Sequence, residues 1–360
     1  MTDKQILDAF HRKEKEYLDH YSKDKPRIAY LCLRTPVELL QAIDAVPLRI
    51  IPLHDYDAAF HTGVRPDGCS FCQNIPAFIN TSKYRGIQAV IGGACCDQMR
   101  RIMDTLRRQL PLPVILYGAP RTWEMDEGYF LKEMTAAFQR LASIINKSFD
   151  TVKIKRKIIA RNALREKIKS LRSEGALANS LLNAISASPL PSDEICSFLQ
   201  AHPRRQRKSH LRLLLAGSIP GWWEVQIIEE IGVEIAADAT CLGDRAFYSV
   251  VGSEGSLLEN LYRAYVAENL CPHRRPVLPT IEYIRNLAAE RKVDGIIFLT
   301  LKYCHPWGLS ALRMKDELKL PFLSLDDDLT SPAVGNFKTR IGAFVEMLQE
   351  RKFHYSKDNV

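Results

Sequence analysis

Nine cysteines are spread along the 360 residues of this chain: Cys32, Cys69, Cys72, Cys95, Cys96, Cys196, Cys241, Cys271 and Cys304. In a reducing compartment such a count points to metal or redox chemistry rather than to disulfides. Zinc favours paired CxxC units, and Cys69-Ser70-Phe71-Cys72 is the one CxxC here. The other thiols are dispersed, so a shared centre has to be assembled by the fold. Iron suits this arrangement, because thiolates are soft ligands and a cubane takes up to four of them from scattered positions. The minimum ligand set is Cys69, Cys96 and Cys304. Cys72, Cys241 and Cys271 are available to complete a larger or second cluster. Cys95 adjoins Cys96, and neighbours on an extended chain face opposite ways, so both serve one centre only if the backbone turns there. Cys32 and Cys196 have apolar neighbours and read as buried structural thiols. Zinc and a scatter of unrelated thiols are the competing readings.

The elements that would position these thiols come in two similar units. Ile87 to Ile91 runs into Cys95-Cys96, and Gly295 to Leu299 runs toward Cys304. A basic amphipathic stretch follows each, then a short apolar strand. Pro113 and Pro321 stand equally far beyond Cys96 and Cys304, by 17 residues. Strands are expected at 27–32, 48–51, 85–92 and 113–117, then from Leu211, at 233–237, before Cys304 and at 321–325. Helical patterns alternate with them, which argues for parallel sheets with helices on both faces. The fold class is therefore α/β, with two Rossmann-like or flavodoxin-like domains, helical insertions and a cluster in the cleft between them. The expected division is a helical segment 1–25, a first α/β domain 26–125, a helical region and linker 126–209, and a second α/β domain 210–360. Residues 63–80 read as loop, with a helical turn at Ile75 to Ile79. In such sheets ligands bind beyond the carboxyl ends of the strands, where Cys96, Cys241, Cys304, Ser218 and Asp326 fall.

The formal charge is +8, concentrated at Lys153 to Lys157 and Arg204 to Lys208. Without zinc-finger spacing or an aromatic-interleaved groove this reads as solvated helix face and linker, or as a field for an anionic substrate, not as nucleic-acid binding. No run is long enough to span a bilayer, and Met1 to Tyr21 lacks the apolar core of an export signal. A cytoplasmic protein is expected. Trp307 and the Trp222-Trp223 pair read as core packing, and Asp326 to Asp328 as a solvated turn. Arg340 would pair with an internal carboxylate or a coenzyme phosphate. No phosphate loop with a downstream lysine is present.

Taken together, Cys69, Cys96, Cys241, Cys271 and the segments Val293 to Gly308, Pro321 to Asp328 and Phe337 to Leu348 give the chain a family likeness. Leu214 to Trp222 and Asp238 to Arg245 add to it. Over roughly residues 25–360 it resembles the iron–sulfur subunits of 2-hydroxyacyl-CoA dehydratases and ATP-dependent benzoyl-CoA reductases. The resemblance implies a catalytic subunit with a 4Fe-4S cluster on Cys69, Cys96 and Cys304, close to an acyl-CoA. It implies a homologous iron–sulfur partner or a second copy of the chain, and a separate ATP-hydrolysing iron–sulfur activator that delivers a low-potential electron. The thioester then undergoes dehydration or aromatic ring reduction. A related branch holds a double-cubane 8Fe-9S cluster and reduces small molecules; Cys241 and Cys271 match positions available to it. A non-catalytic homologous subunit is the remaining alternative. His305 stands where acidic residues are common in the family, and with the Ser218 hydroxyl it is the candidate for proton donation around the substrate.

Overall fold

The strands of this protein are apolar on both faces, a pattern stable only when helices cover each side. In the computed structural model, which describes residues 1–51, 67–79, 84–125, 127–202, 209–329 and 334–357, two four-stranded parallel sheets carry that pattern. Arg27–Tyr30 (β1), Val46–Arg49 (β2), Ile87–Gly93 (β3) and Val114–Tyr117 (β4) pair in the order β2-β1-β3-β4. Arg212–Gly217 (β5), Glu234–Asp238 (β6), Gly295–Leu301 (β7) and Phe322–Asp327 (β8) pair as β6-β5-β7-β8. The two orders correspond strand for strand, which is the structural form of the repeat in the sequence. In each sheet the direction of strand addition reverses, between β1 and β3 and between β5 and β7. Such switch points open a crevice beyond the strand ends.

The crossovers are helical. Val37–Ala42 (α2), Ser70–Ile79 (α3) and Asp97–Gln109 (α4) belong to the first sheet, after an N-terminal helix Asp3–Glu16 (α1). Glu127–Ile144 (α5), Thr151–Ser173 (α6), Asn179–Ala187 (α7) and Ser192–Ala201 (α8) lie between the sheets in sequence. Trp222–Glu230 (α9), Leu257–Tyr262 (α10), Leu278–Glu290 (α11), His305–Leu318 (α12) and Val334–Lys357 (α13) complete the second half. Alternation along the strands sorts the cores. Ile28 and Tyr30 pack toward Leu39, Phe138 and Leu261. Leu213, Leu215, Ile297 and Leu299 pack toward Ile228, Ile341 and Phe344. The opposite faces, Ala29 and Val90 in one sheet and Leu214 and Phe298 in the other, share a single apolar core with Met103, Ile185 and Trp307. Helical periodicity placed most of these elements within a few residues.

Three expectations need correction. The cysteine loop expected from 63 to 80 is helical over α3, because Ser70 to Ile79 buries an apolar face that includes Ile75 and Phe78; residues 52–66 and 80 lie outside the described residues, as does the basic run at 204–208. The α7 segment, buried on nearly every side although Asn179, Ser180, Asn183 and Ser186 are polar, is an additional helix. The aspartates after Leu325 do not open a solvated turn, since β8 continues through Asp326 and Asp327.

Asp327 is buried, and its Oδ1 accepts from the Leu329 N–H at 3.1 Å. It faces Glu224 in the first turn of α9. Burial, reinforced by the Asp327 charge, pushes the Glu224 carboxyl up to about 8. The folded protein therefore holds a proton between pH 4.5 and 8 that the unfolded chain has released, and stability falls as pH rises through that window. Glu224→Gln should remove this slope, leaving stability at pH 5 little changed and raising it by about 4 kcal/mol at pH 8.5. Denaturation midpoints at the two pH values measure this; parallel profiles for variant and wild type would refute it.

Candidate metal centre

The three thiols of the minimum set occupy the same local position. Cys69 immediately precedes α3, Cys96 is the N-cap of α4, and Cys304 is the N-cap of α12. Helix N-termini present unpaired N–H groups and a partial positive charge, which favour anions and stabilise thiolates. The Cys96 sulfur accepts from the Met99 N–H at 3.3 Å. The Cys69 sulfur is faced by the N–H groups of Phe71 and Cys72. The Trp307 backbone N–H favours the Cys304 thiolate without making a cap bond. Tyr303 turns the chain out of β7 in the left-handed region, φ 63°, a conformation that non-glycine residues adopt at a cost. That turn is what swings Cys304 to the head of α12.

The thiols are brought together by contacts between the two halves. The backbone N–H and the hydroxyl of Ser70 donate to the Lys302 carbonyl at 3.1 and 3.2 Å. The Asn74 amide reaches the Asp328 carbonyl at 3.5 Å. The first turn of α3 is thus seated on the exit of β7. Cys69 then lies within hydrogen-bonding reach of both Cys304 and Cys72, and their donation holds it well below the ordinary thiol range. Cys304 and Cys72 are correspondingly raised, by donation to Cys69 and by burial. The Cys96 charge acts on both of them.

At Cys95 the backbone does turn: its N–H bonds back to the Gly93 carbonyl at 2.8 Å, a three-residue turn. Its thiol meets Cys32 on one side and Cys96 on the other. Cys32, expected to be structural, therefore belongs to the same set. Donation to Cys95, aided by burial, raises it. Beyond it lie Cys241 and Cys271, which act on each other electrostatically, with Cys32 acting on Cys241. Burial raises Cys241, although the Arg245 guanidinium donates to its sulfur at 2.8 Å. Cys271 is the opposite case. Burial resists ionisation, but His273, with Nδ1 2.9 Å from the sulfur, outweighs it and brings the thiol down to about 6. Eight cysteines thus form one continuous series, and Cys196, half-buried on α8, stands apart from it.

The surroundings are cationic. Arg34, Arg49 and Arg245 are buried around Cys32, Cys95, Cys241 and Cys271. Among the described residues none of the three has a carboxylate partner, and Nε of each has no hydrogen-bond acceptor. Unpaired buried charge is expensive, so the site calls for an anionic group. No three His, Cys, Asp or Glu side chains among the described residues close on one point as a single ion requires. An extended array of soft donors at cationic helix ends fits a polynuclear iron–sulfur group instead. The cationic shell and His273 were missed in the sequence, and Cys32 was read as structural; Cys271-Pro272-His273 was the available signal for the histidine.

The remaining candidates have defined places. Ser218, at the end of β5, spends its hydroxyl on β7, accepting from the Leu301 N–H at 3.1 Å and lying 3.4 Å from the Leu299 carbonyl. Gly217 beside it has φ 114°, and any Cβ there would strike the Leu299 carbonyl, so only glycine permits this approach. His305 is exposed at the first residue of α12. Trp307 is core, set edge-on to Phe298. Arg340 donates to the Ser324 carbonyl at 2.7 Å. A cleft of 710 Å³ beside α9 carries Asp3, Asp8, Glu229, Glu230 and Glu234 against Lys4. Its anionic lining does not suit the phosphates of coenzyme A, and it touches the thiol region through Leu242.

The 2-hydroxyglutaryl-CoA dehydratase D-component family matches residues 32–348. YjiM of Escherichia coli (strain K12), provisionally named a dehydratase subunit, is 27% identical over 128 residues, covering 34% of this chain and 33% of its own length. The (R)-phenyllactyl-CoA dehydratase beta subunit of Clostridium sporogenes is 26% identical over 127 residues, covering 34% of each. The chain thus spans about a third of the length of the curated relatives it matches. Among solved structures, FpvC of Pseudomonas aeruginosa in complex with Mn2+ aligns over 90% of this chain and 96% of its own, at 13% identity and a TM-score of 0.21. An FpvC mutant aligns over 90% and 99%, at 14% and 0.22. Likenesses this low carry no argument.

The Cys241 loop has its own support. Arg172 of α6 grips both carboxylate oxygens of Asp244 at 3.1 Å. Asp244 accepts from the Asp238 N–H at 2.7 Å, and Asn179 and Asn183 donate to the Asp238 carboxylate. Asp244→Ala should strand the buried guanidinium and cost about 3 kcal/mol, with faster alkylation of Cys241 in the native protein. A denaturation midpoint equal to wild type would show that the loop is held by other contacts.

Proposed function

The chain belongs to the 2-hydroxyglutaryl-CoA dehydratase D-component family, and from that premise we propose that it is the iron–sulfur subunit of an enzyme of the 2-hydroxyacyl-CoA dehydratase and benzoyl-CoA reductase type. The reaction is the activation of an acyl-CoA thioester by a low-potential electron, for dehydration or aromatic ring reduction. One observation carries the reading: eight of nine cysteines, drawn from both halves, gather where strand ends and helix N-termini meet.

Cys69, Cys96 and Cys304 are the ligands that three helix ends favour, with Cys72 one turn into α3. Such a cluster, when bound, supplies one-electron chemistry and a Lewis-acidic iron. The chain itself excludes water by burying the thiols and offers fixed N–H dipoles to negative charge. His305, exposed beside Cys304, would exchange a proton with a substrate. Ser218 positions the β7 exit through its backbone bonds. The catalytic unit pairs this chain with a homologous iron–sulfur subunit or a second copy, and a separate ATP-hydrolysing iron–sulfur protein is the electron donor. The cytoplasm is the expected compartment; among the described residues no helix is long and apolar enough to cross a membrane.

A second reading rests on the number of thiols. Eight is twice what one cubane takes, which favours the double-cubane form and reduction of a small molecule without coenzyme A. Oxygen-free purification followed by iron and sulfide analysis separates the two: about four irons per chain for a single cubane and about eight for the double form. Cys304→Ser should lower the iron content of either. Retention of an acyl-CoA thioester then supports the dehydratase or reductase reading. Iron-free protein after anaerobic reconstitution would sink both.

A further inference from the structure

Arg245 touches three elements that carry thiols of the array. Its Nη2 lies 2.8 Å from the Cys241 sulfur. Its Nη1 donates to the carbonyl of Leu270, next to Cys271, at 2.9 Å. Its guanidinium carbon sits 5.1 Å above the ring centre of Trp307, whose backbone N–H favours the Cys304 thiolate. The side chain is 7% exposed, and among the described residues it has no carboxylate partner. A buried arginine normally sits in an ion pair, as Arg165 does with Glu38 and Arg172 with Asp244. Among the described residues Arg245 has a sulfur, a carbonyl and a π face, and all three lead to candidate ligands.

We propose that Arg245 is a positioning residue that brackets the Cys241, Cys271 and Cys304 elements and serves as the fixed countercharge of the metal centre, making it easier to reduce. The inference rests on the iron–sulfur reading above. Cation–π contact and weak hydration let a guanidinium remain charged in such a place. A positive charge in a low-dielectric interior favours whichever state of a neighbouring centre is more negative, and reduction adds that negative charge. The guanidinium is held by contacts on three sides, so its charge is already in place before any electron arrives.

The test uses the whole chain, purified without oxygen and reconstituted with iron and sulfide, as wild type, Arg245→Lys, Arg245→Gln and Arg161→Gln. Arg161 is a buried arginine over the Phe247 ring at 5.2 Å and, bonding to no thiol among the described residues, controls for loss of a buried charge as such. Iron content of the wild type decides the cluster reading by itself; protein that takes no iron refutes that premise, whatever the variants do. With iron bound, a potentiometric titration followed by electron paramagnetic resonance reads the ratio of oxidised to reduced centre. Arg245→Gln should shift that ratio at least tenfold toward the oxidised form, 59 mV for one electron. Arg245→Lys and Arg161→Gln should stay near wild type. Loss of iron from Arg245→Gln but not from Arg245→Lys would also support the proposal, since the charge is then needed for assembly. An unchanged ratio in iron-replete Arg245→Gln overturns it. So does loss of iron from both Arg245 variants, with or without loss of the native far-ultraviolet spectrum, because the arginine then serves only as a structural bracket.

Discussion

Ser70 and Lys302 are 232 positions apart in sequence, yet the amide and hydroxyl of the first bond to the carbonyl of the second. The rest of the candidate centre depends on this contact. It seats the N-terminus of α3, which carries Cys69 and Cys72, on the exit of β7, which carries Cys304. Two parallel sheets each generate a crevice at their own switch point. Only their mutual docking makes one site out of two crevices. The cost is local: Tyr303 holds a left-handed backbone, and Gly217 must remain without a side chain for β5 and β7 to approach.

The same geometry governs how charge is distributed among the thiols. Thiols buried this deeply ionise poorly in apolar surroundings. Here Cys69, Cys96 and Cys304 stand at helix ends, while Cys271 has His273 and Cys241 has Arg245. Ionisation is thereby uneven along the series: Cys69 and Cys271 are lowered, and the thiols next to them are raised. Among the described residues Arg34, Arg49 and Arg245 carry buried charge without carboxylates, which is unfavourable by itself. Folding elsewhere compensates, through two fully covered sheets and the ion pairs Arg165–Glu38 and Arg172–Asp244.

Much of this was legible in the chain. Apolar runs buried on both faces identified the parallel strands, and the matching stretches around Cys96 and Cys304 identified the repeat. The positions of Cys96 and Cys304 at strand ends followed from where those runs stopped, whereas Cys69 read as loop and is set at a helix start by α3. Other features were not legible. Cys32 has the apolar neighbours of a structural thiol, and its likeness to Cys196 ends only when β3 places Cys95 beside it. Asp327 resembled the start of a turn because three aspartates in a row are usually solvated, whereas a partner on α9 allows one of them to stay inside.

The sequence by itself determined the α/β class, the two similar units, the supply of thiols at strand and helix ends, and membership of a family. These are local or periodic properties, set by spacing and residue type within a few turns of chain. The tertiary structure alone decided which thiols meet, which arginines surround them, and that Ser218 serves β7. Those outcomes depend on contacts between residues hundreds of positions apart, and no local pattern encodes the distance between two loops that come together only when both sheets have docked.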